Sequence, residues 1–299
     1  MIKLSVCIPI YNIDVSQLVQ SLELEIQEQQ LDAEIVLIDD ASTDHAIQKQ
    51  NQSFLKNHHY IQLTSNIGRS KIRNLFLDYA KGEYLLFLDC DGLIINKHFI
   101  SKYFQFLTKN QDVKVIYGGR VVPQENPGSD YLLRWKFAHK RENPPIVYRK
   151  GNPYLCFQTN NFLTKKDIFE KIQFEDKLKK YGYEDVLFSF ELKKAGVKID
   201  QIDNPIFNND VESNKAYLKH VEDSIENIAW MMKQEEYKDE LKGIKLVKAY
   251  YLLQKIKLKG LYKLLMLPFK NKLKIDLEGR AISLRKLDLY KLLLLVEKA

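Results

Sequence analysis

The sequence predicts an α/β fold with a mostly parallel central sheet flanked by helices, followed by a C-terminal helical appendage. Short apolar runs alternate with amphipathic stretches through the N-terminal half, which is typical of successive βα units. Residues 84–88 are apolar at every position, as in a strand that is covered on both faces of a parallel sheet. From Asn214 onward, apolar residues recur mainly at helical spacing.

The predicted strands lie at residues 4–8, 34–38, 60–63, 84–88, 113–117 and 199–202. Pro9 is expected to end the first strand, and Asp14 can cap the helix that follows, with Gln17 in the capping-box position. The later helices are expected at residues 69–81, 164–172 and 184–195.

Two further segments complete the predicted organisation of the chain. Residues 120–151 are rich in Pro, Gly and charge and are predicted to form a long connection. We expect a catalytic domain in residues 1–213 and a basic, mainly helical region in residues 214–299. A chain of 299 residues is long enough for both.

The net charge of +7 is concentrated near the C-terminus. Residues 241–299 contain 15 Lys and Arg against 4 Asp and Glu. This composition fits a helical bundle with a solvated lysine face, and it fits equally a module that contacts a membrane surface. The stretch contains no recognisable nucleic-acid-binding module, so no nucleic-acid partner is expected.

The cysteines and the N-terminus bear on the cellular compartment. Cys7, Cys90 and Cys156 have no CxxC spacing and are predicted to be small buried thiols. The N-terminus lacks the shape of a signal peptide, and no apolar run reaches the roughly 18 residues that cross a bilayer. A cytoplasmic location is therefore expected.

Acidic residues follow two of the predicted strands, with Asp39 and Asp40 after the second and Asp89 and Asp91 after the buried one. Ligands of open α/β sheets bind beyond the carboxyl ends of the strands, so both clusters belong at one edge. Mn²⁺ and Mg²⁺ are commonly held by one or two carboxylates together with substrate phosphates. The pattern therefore predicts a divalent cation that neutralises a diphosphate leaving group.

Five motifs occur in a fixed order along residues 3–210. They are Pro9-Ile10-Tyr11-Asn12, Val36 to Asp44, Asn66-Ile67-Gly68 with Arg73-Asn74, Gly82-Glu83-Tyr84 leading to Asp89-Cys90-Asp91, and Tyr183-Glu184-Asp185. Together they resemble the inverting glycosyltransferases of family 2, which implies a GT-A fold.

The resemblance implies a role for each matching position. The implied donor-binding residues are Pro9, Tyr11, Asn12, Asp40, Asn66, Gly68, Arg73, Asp89 and Cys90, with Asp40 on the base and Arg73 near the phosphates. Arg69 and Arg73 are one helical turn apart, so both guanidinium groups can face the same edge. This spacing agrees with a place for Arg73 near the phosphates. The resemblance places the metal on Asp91 and Asp89. The segment 158–161 is expected to face the donor sugar and the acceptor.

Asp185, with Glu184 beside it, matches the position of the catalytic base. Inversion at an anomeric carbon needs a base for the acceptor hydroxyl, opposite the departing diphosphate. The start of a helix keeps such a carboxylate ionised. The sequence departs from the family where many relatives have a histidine after the final core strand, since Asn208 stands there and is a poorer metal ligand.

The sequence thus predicts transfer of a sugar from a nucleoside diphosphate sugar to a hydroxyl of a glycan or lipid-linked acceptor, with Mn²⁺ or Mg²⁺. The resemblance favours uridine as the nucleoside. The alternative is a GT-A-fold protein that binds nucleotide or glycan with weak or no turnover, which Asn208 motivates. Of the two interpretations of the basic residues 241–299, a membrane-surface module implies contact with a membrane, whereas a solvated helical bundle does not.

Overall fold

The computed structural model describes residues 3–178, 180–208 and 211–299. The chain divides into two compact units. The first comprises the described parts of 1–122, 145–176 and 185–210, and the second those of 123–144, 177–184 and 211–299. The second unit therefore includes two segments that precede residue 214, and the expected division after residue 213 stays a prediction.

The strands all belong to the first unit. They are β1 Leu4–Ile10, β2 Ala33–Asp39, β3 His59–Gln62, β4 Tyr84–Leu88, β5 Gly92–Leu93, β6 Val115–Tyr117, β7 Arg120–Val121, β8 Asn161–Lys165, β9 Ile199–Gln201 and β10 Ile206–Asn208. A seven-stranded sheet has the order β3-β2-β1-β4-β8-β6-β9, and a small three-stranded sheet has the order β5-β10-β7.

The α-helices are α1 Ser16–Glu28, α2 His45–Phe54, α3 Arg69–Leu75, α4 Phe99–Lys109, α5 Leu132–Phe137, α6 Ile146–Gly151, α7 Lys166–Lys171, α8 Glu184–Lys194, α9 Asn214–Met231, α10 Lys238–Leu241, α11 Lys245–Lys255, α12 Lys259–Met266, α13 Lys270–Ile275 and α14 Leu284–Lys298. The remaining helical turns are 3₁₀ segments at 76–78, 129–131, 235–237 and 267–269 and π-helical segments at 138–142 and 276–280. None of the described helices combines the length and apolar character needed to cross a membrane.

The large sheet is mostly parallel, as predicted. Strand β1 pairs in parallel with β2 and β4, and β9 pairs in parallel with β6. Strand β8 is the exception, since it runs antiparallel between β4 and β6. The carboxyl ends of β1, β2 and β4 consequently meet at one edge, which is where the acidic motifs lie.

The sheet is covered on both faces, which explains the uniformly apolar fourth strand. Leu86 and Leu88 of β4 pack into one core cluster with α1 and α4, whereas Leu85 and Phe87 pack into the other with α3, α7 and α8. The interior is close-packed, and Phe87 stacks on Phe162 of the neighbouring strand with centroids 4.9 Å apart.

Two expectations about the first βα unit are wrong in detail. Strand β1 continues through Pro9 to Ile10, because its pairing with β4 ends at Cys7 and leaves no ladder partner on that side for a proline to disrupt. Helix α1 begins at Ser16, and Asp14 Oδ1 accepts a hydrogen bond from the Ser16 N–H at 2.9 Å, without the predicted capping box.

Three further expectations differ from the structure. The segment 120–151 is not a long irregular connection, since it contains β7, α5, a π-helical turn and α6. Arg149 of α6 is buried, and its guanidinium donates to Gln201 Oε1 and to the Ile202 carbonyl.

The helix expected at 164–172 begins only at Lys166, because the preceding residues form β8. The helix expected at 69–81 changes to a 3₁₀ turn after Leu75.

The second unit is helical, as the pattern after Asn214 predicts. Helix α14 packs against α9, α11, α12 and α13. Polar side chains tie these helices together, since Glu222 of α9 accepts hydrogen bonds at 2.7 Å from Lys274 of α13 and Tyr290 of α14. Asn214 reaches the Ser129 carbonyl, so the segment before α5 belongs to the same unit.

Candidate active site

The first carboxylate after β4 is held by a buried arginine. Arg73 Nη2 donates to Asp89 Oδ1 at 2.7 Å, and Arg73 is 3% exposed whereas the Asp89 side chain is 31% exposed. The backbone N–H of Asp89 donates to the Asn160 carbonyl, which continues the β4–β8 ladder by one residue. Asp89 is thus fixed at the sheet edge with part of its carboxylate open to solvent.

Arg73 reaches the carboxyl edge of the sheet, as its spacing from Arg69 predicts, and its place near the donor phosphates stays a prediction. Its guanidinium is engaged by Asp89 and by the Arg69 carbonyl, and it lies 5.6 Å from the centroid of the Phe174 ring. Its Nε has no hydrogen-bond partner among the described residues, so the guanidinium keeps a donor besides those that Asp89 and the Arg69 carbonyl accept. The hydrogen bond to Asp89 also supports a role for Arg73 in positioning that carboxylate.

The second carboxylate, Asp91, meets Asn208. Strands β5 and β10 pair with Asn208 opposite Gly92, and Asn208 Nδ2 donates to Asp91 Oδ2 at 2.7 Å. Gly92 permits this pairing, because a Cβ at that position would lie 2.2 Å from the Cδ1 atom of Ile206. The small sheet therefore brings Asn208, at the position where many relatives have a histidine, next to Asp91, one of the two carboxylates expected to hold the metal.

Cys90, between the two carboxylates, is a protonated thiol. Burial is the main cause that raises its pKa to about 12, and the charge of Asp91 acts in the same direction. A hydrogen bond from the Tyr11 backbone N–H opposes these effects. The contact joins the end of β1 to the segment after β4, while the Tyr11 side chain is 44% exposed.

Asn12 connects the end of β1 to the loop after β2. Its backbone N–H donates to Ser42 Oγ at 2.9 Å, and its Oδ1 accepts from the N–H groups of Thr43 and Asp44 at 2.7 and 2.8 Å. Asn12 has a φ of 55°, a conformation that asparagine tolerates better than most residues. Through these bonds Asn12 orders the loop.

The carboxylates after β2 are buried and bonded to backbone. Asp39 Oδ1 accepts from the Ser42 N–H at 2.7 Å, and Asp40 accepts from the N–H groups of Ile67 and Gly68 at 2.7 and 3.0 Å. Burial raises the pKa of Asp40 in spite of these two bonds. Gly68 has a φ of 85° immediately before α3, so a side chain there would be strained.

Asn66 belongs to the same turn, since its Nδ2 donates to the Asp40 carbonyl at 3.1 Å. An open cleft of about 610 Å³ lies beyond the ends of β2 and β3. It is lined by Ala41, Ser42, Thr43, His45, Gln48, Gln62, Leu63 and Thr64. The loops that Asn12 and Asp40 hold therefore border a concave polar surface at the carboxyl edge of the sheet.

The segment 158–161 lies beside Asp89, because the Asn160 carbonyl accepts the Asp89 N–H. Asn160 is buried, and its Oδ1 has no hydrogen-bond partner among the described residues. Asn161 has a structural role, since it accepts from Tyr103 and donates to the carbonyls of Gly119 and Asn204. Asn160 and Asn161 are neighbours in the same predicted segment but differ in role, since only Asn160 keeps an unbonded side-chain oxygen.

The proposed base begins helix α8. Asp185 is partly exposed, and its Oδ1 accepts from the Val186 N–H at 2.7 Å, whereas Glu184 is buried. The turn before the helix is tight, with left-handed backbone at Gly182 (φ 93°) and Tyr183 (φ 69°). Asp185 is therefore the more open carboxylate of the pair.

The described residues fit a cation that arrives with its substrate. They contain no group of three His, Cys, Asp or Glu side chains that could hold a metal ion by themselves. Asp91 and Asp89 supply oxygen ligands, and turning the Asn208 amide over would present its Oδ1. Mg²⁺ and Mn²⁺ are often bound by one or two carboxylates with phosphates and water, which this set of ligands allows.

Comparison with known proteins agrees with these features. The family model described as "Glycosyl transferase family 2" matches residues 5–173, which is more than half of the chain. The poly(ribitol-phosphate) beta-N-acetylglucosaminyltransferase TarS of Staphylococcus aureus is 35% identical over 136 residues, which is 42% of this chain and 23% of TarS. The chain covers less than half the length of the first curated relatives that it matches.

Solved structures share the fold. Residues 1–349 of S. aureus TarS in complex with UDP-GlcNAc superpose with a TM-score of 0.54 and 20% identity, over 99% of this chain and 89% of that one. The mannosyltransferase PcManGT of Pyrobaculum calidifontis in complex with GDP-Man and Mn²⁺ gives 0.56 and 15%, over 80% and 67%. These likenesses confirm the predicted GT-A-type fold.

Proposed function

Because the chain belongs to glycosyl transferase family 2, we propose that it transfers a sugar from a nucleoside diphosphate sugar to an acceptor hydroxyl with inversion. The observation that carries the proposal is the carboxyl edge of the sheet, where Arg73 holds Asp89 and Asn208 meets Asp91. The UDP-GlcNAc bound by S. aureus TarS supports a uridine diphosphate donor. The poly(ribitol-phosphate) in the name of TarS supports a polymer rich in hydroxyl groups as the acceptor, and the proposed acceptor is a glycan or a lipid-linked glycan.

The proposed donor site uses the loops at the ends of β1, β2 and β4. Pro9 and Tyr11 lie at the end of β1, and the exposed ring of Tyr11 offers a surface for the nucleoside. Asn12 and Asp40 shape the polar cleft for the base and ribose, and Asn66 and Gly68 complete the turn that Asp40 holds. Arg73 positions Asp89, which faces the ribose or the cation.

We propose that Asp91, with Asp89 and Asn208, holds Mn²⁺ or Mg²⁺ together with the donor diphosphate. Such an ion neutralises the charge that develops on a departing diphosphate. Cys90 contributes a neutral thiol between the two carboxylates, so it adds no charge to this centre.

Asp185 is the proposed general base. It would accept the proton of the acceptor hydroxyl while that oxygen forms a bond to the anomeric carbon. The bond between the anomeric carbon and the diphosphate oxygen breaks on the opposite face, which inverts the configuration. The partly exposed position of Asp185 in the first turn of α8 suits contact with an acceptor, and the helix N-terminus favours its ionised form.

Donor hydrolysis and transfer test this proposal. The purified chain is incubated with UDP-glucose, UDP-GlcNAc and GDP-mannose, with Mn²⁺, Mg²⁺ or EDTA, and the released nucleoside diphosphate is measured. Asp185→Asn is expected to lower kcat by about 10²–10⁴-fold while UDP binding persists. Asp112→Asn serves as the control, because Asp112 is an exposed carboxylate elsewhere in the first unit. Unchanged turnover in Asp185→Asn would refute the assignment of the base.

The contact between Asn208 and Asp91 also favours a second candidate, a GT-A-fold protein that binds nucleotide or glycan without efficient turnover. An amide that donates to a carboxylate oxygen competes with a cation for that oxygen. If this candidate holds, the wild-type chain binds UDP but shows no metal-dependent turnover, and Asn208→His raises Mn²⁺ affinity. If the wild-type chain turns over a donor with Mn²⁺ or Mg²⁺, the transferase proposal stands.

The expected cytoplasmic location belongs to the same proposal. Nucleoside diphosphate sugars and reduced thiols such as Cys7 and Cys90 suit that compartment, and both side chains are free thiols in the structure. We also propose that residues 241–299 contact the inner face of the membrane. This proposal depends on side chains outside the donor site.

A further inference from the structure

The second unit carries a run of large apolar side chains that its own core does not cover. They lie between the end of α11 and the start of α13 and are Leu252, Ile256, Leu258, Leu261, Leu264, Leu265, Leu267 and Phe269. Leu264 is 72% exposed and Leu265 is 58% exposed. We call these eight residues the apolar strip.

Helix α12 is the centre of the apolar strip, and none of its residues is buried. Its contact with α14 uses the other side, where Tyr262 is half-buried and its hydroxyl donates to the Leu289 carbonyl at 3.1 Å. The neighbouring helices are anchored in the same way on one side, by Val247 and Tyr250 of α11 and by Leu273 of α13. The strip is therefore the outward face of helices that are already docked.

Contiguous apolar exposure of this kind marks an interaction surface rather than an ordinary solvated face. Single exposed apolar side chains are common, but here eight large ones occur within eighteen residues of sequence on successive helical turns. A helix whose apolar side chains all remain accessible gains little stability from them. The strip is explained best by something that covers it.

All charged residues in the stretch of sequence that contains the strip are lysines. Residues 241–275 contain ten lysines and no Asp or Glu. Lys270 and Lys274 pair with Glu297 and Glu222 of the same unit, whereas Lys255, Lys257 and Lys263 are exposed and form no ion pair within the described parts of the chain. The lysines thus surround and interrupt the apolar strip.

We propose that the apolar strip and its lysines form a docking surface for an anionic lipid bilayer. Leucine and phenylalanine side chains can enter the boundary between head groups and acyl chains while lysines meet the lipid phosphates. Anionic lipids attract such basic segments, and each lysine near the surface adds to the affinity. A second copy of this chain fits less well, because a two-fold contact would bring Lys255, Lys257 and Lys263 of one copy towards those of the other.

The proposal concerns how the protein is held and does not depend on the transfer reaction. A transferase held in this way would meet acceptors that are themselves anchored in the bilayer. The helices involved are too short to span it, so the surface would lie in the plane of the interface.

Vesicle co-sedimentation tests the proposal with the full chain. The probes are phosphatidylcholine vesicles with and without phosphatidylglycerol, at low and high salt. The wild-type chain is expected to bind the anionic vesicles at least about tenfold more tightly than the neutral ones, and added salt is expected to weaken the binding. Equal binding to both vesicles, or binding to neither, would overturn the proposal.

Matched variants locate the surface. Leu261→Glu with Leu264→Glu is expected to reduce binding to anionic vesicles by at least about tenfold, since it places two carboxylates among the lysines. Leu24→Glu with Val147→Glu is the control, because these side chains of the first unit are 52% and 81% exposed and undergo the same change of charge. Circular dichroism and a thermal melt check that both variants remain folded.

Two results would overturn the proposal at this step. One is vesicle binding by Leu261→Glu with Leu264→Glu that equals that of the control. The other is a wild-type dimer in light scattering that becomes a monomer in this variant without any vesicle binding, since a second copy would then be the occupant.

Discussion

Replacing Arg73 by methionine tests whether a buried arginine positions the first carboxylate of the site. Methionine keeps most of the aliphatic stem but removes the 2.7 Å hydrogen bond to Asp89 and the 3.2 Å bond to the Arg69 carbonyl. A hydrogen bond to a charged group contributes about 1.5–3 kcal/mol and a neutral one about 1 kcal/mol. Because the Asp89 side chain is 31% exposed, water can solvate part of the freed carboxylate. We therefore expect a loss of about 2–3 kcal/mol in the free energy of unfolding.

Urea unfolding of wild type, Arg73→Met, Asp89→Asn and the double variant measures this loss as a double-mutant cycle. The expected coupling energy between Arg73 and Asp89 is about 1–2 kcal/mol. Lys71→Met is the control on the same helix, since Lys71 and Asp176 are each 55% exposed and 3.9 Å apart. That control should cost less than about 0.5 kcal/mol.

Nucleotide affinity gives the second readout of the same experiment. If Arg73 acts by positioning Asp89, adding Arg73→Met to Asp89→Asn changes UDP affinity little. A further tenfold loss in the double variant would mean that Arg73 contacts the phosphates directly. Additive unfolding energies, with no coupling, would refute the reasoning from the structure.

Three other predictions follow from single contacts. Gly92→Ala should lower the free energy of unfolding by about 1–3 kcal/mol in urea, because the new Cβ would lie 2.2 Å from Ile206; an unchanged midpoint would contradict this. Cys90 should react with iodoacetamide about a thousandfold more slowly than in the urea-unfolded chain at the same pH, measured by peptide mass spectrometry, because its pKa is about 12 in the fold. Burial acts to raise the pKa of Glu222, but hydrogen bonds from Lys274 and Tyr290 outweigh this effect and lower the pKa. The ionised form of Glu222 therefore stabilises the fold above about pH 4. The stability difference between wild type and Glu222→Gln should therefore shrink as the pH falls below that value, and a difference that grows in acid would be inconsistent with the lowered pKa.

The elements that the sequence predicted well are those with dense local patterns. Strand β4 has its predicted bounds, because a short run of five apolar residues between turn residues is typical of a strand that is buried on both faces. Helix α8 was placed within one residue, because it begins after Gly182 and is followed by Gly196, which has a φ of 67°. The family and the transferase class were also predicted, because five short motifs in order are far more specific than any one of them.

The parts that were missed depend on contacts distant in sequence. The residues of β8 do not alternate between apolar and polar, so the sequence gives no strand pattern there. They form a strand because they pair with β4 on one side and β6 on the other. The buried setting of Arg149 depends on Gln201, more than fifty residues later, so no local pattern could predict it. The hydrogen bond between Arg73 and Asp89 also joins residues that are distant in sequence. Its signal in the sequence is a carboxylate directly after a predicted strand, which needs a cationic partner nearby.

The late position of β8 in the chain has a consequence for synthesis and for truncation. Strands β1, β2 and β4 are complete by residue 88, but the free edge of β4 receives its partner only when residues 161–165 have emerged. A nascent chain or a fragment that ends before Asn161 would expose an apolar strand with unpaired backbone groups. Such an edge is a template for association with other chains. We expect fragments that end between residues 120 and 160 to aggregate on expression, and the shortest soluble fragment of the first unit to extend beyond Lys165.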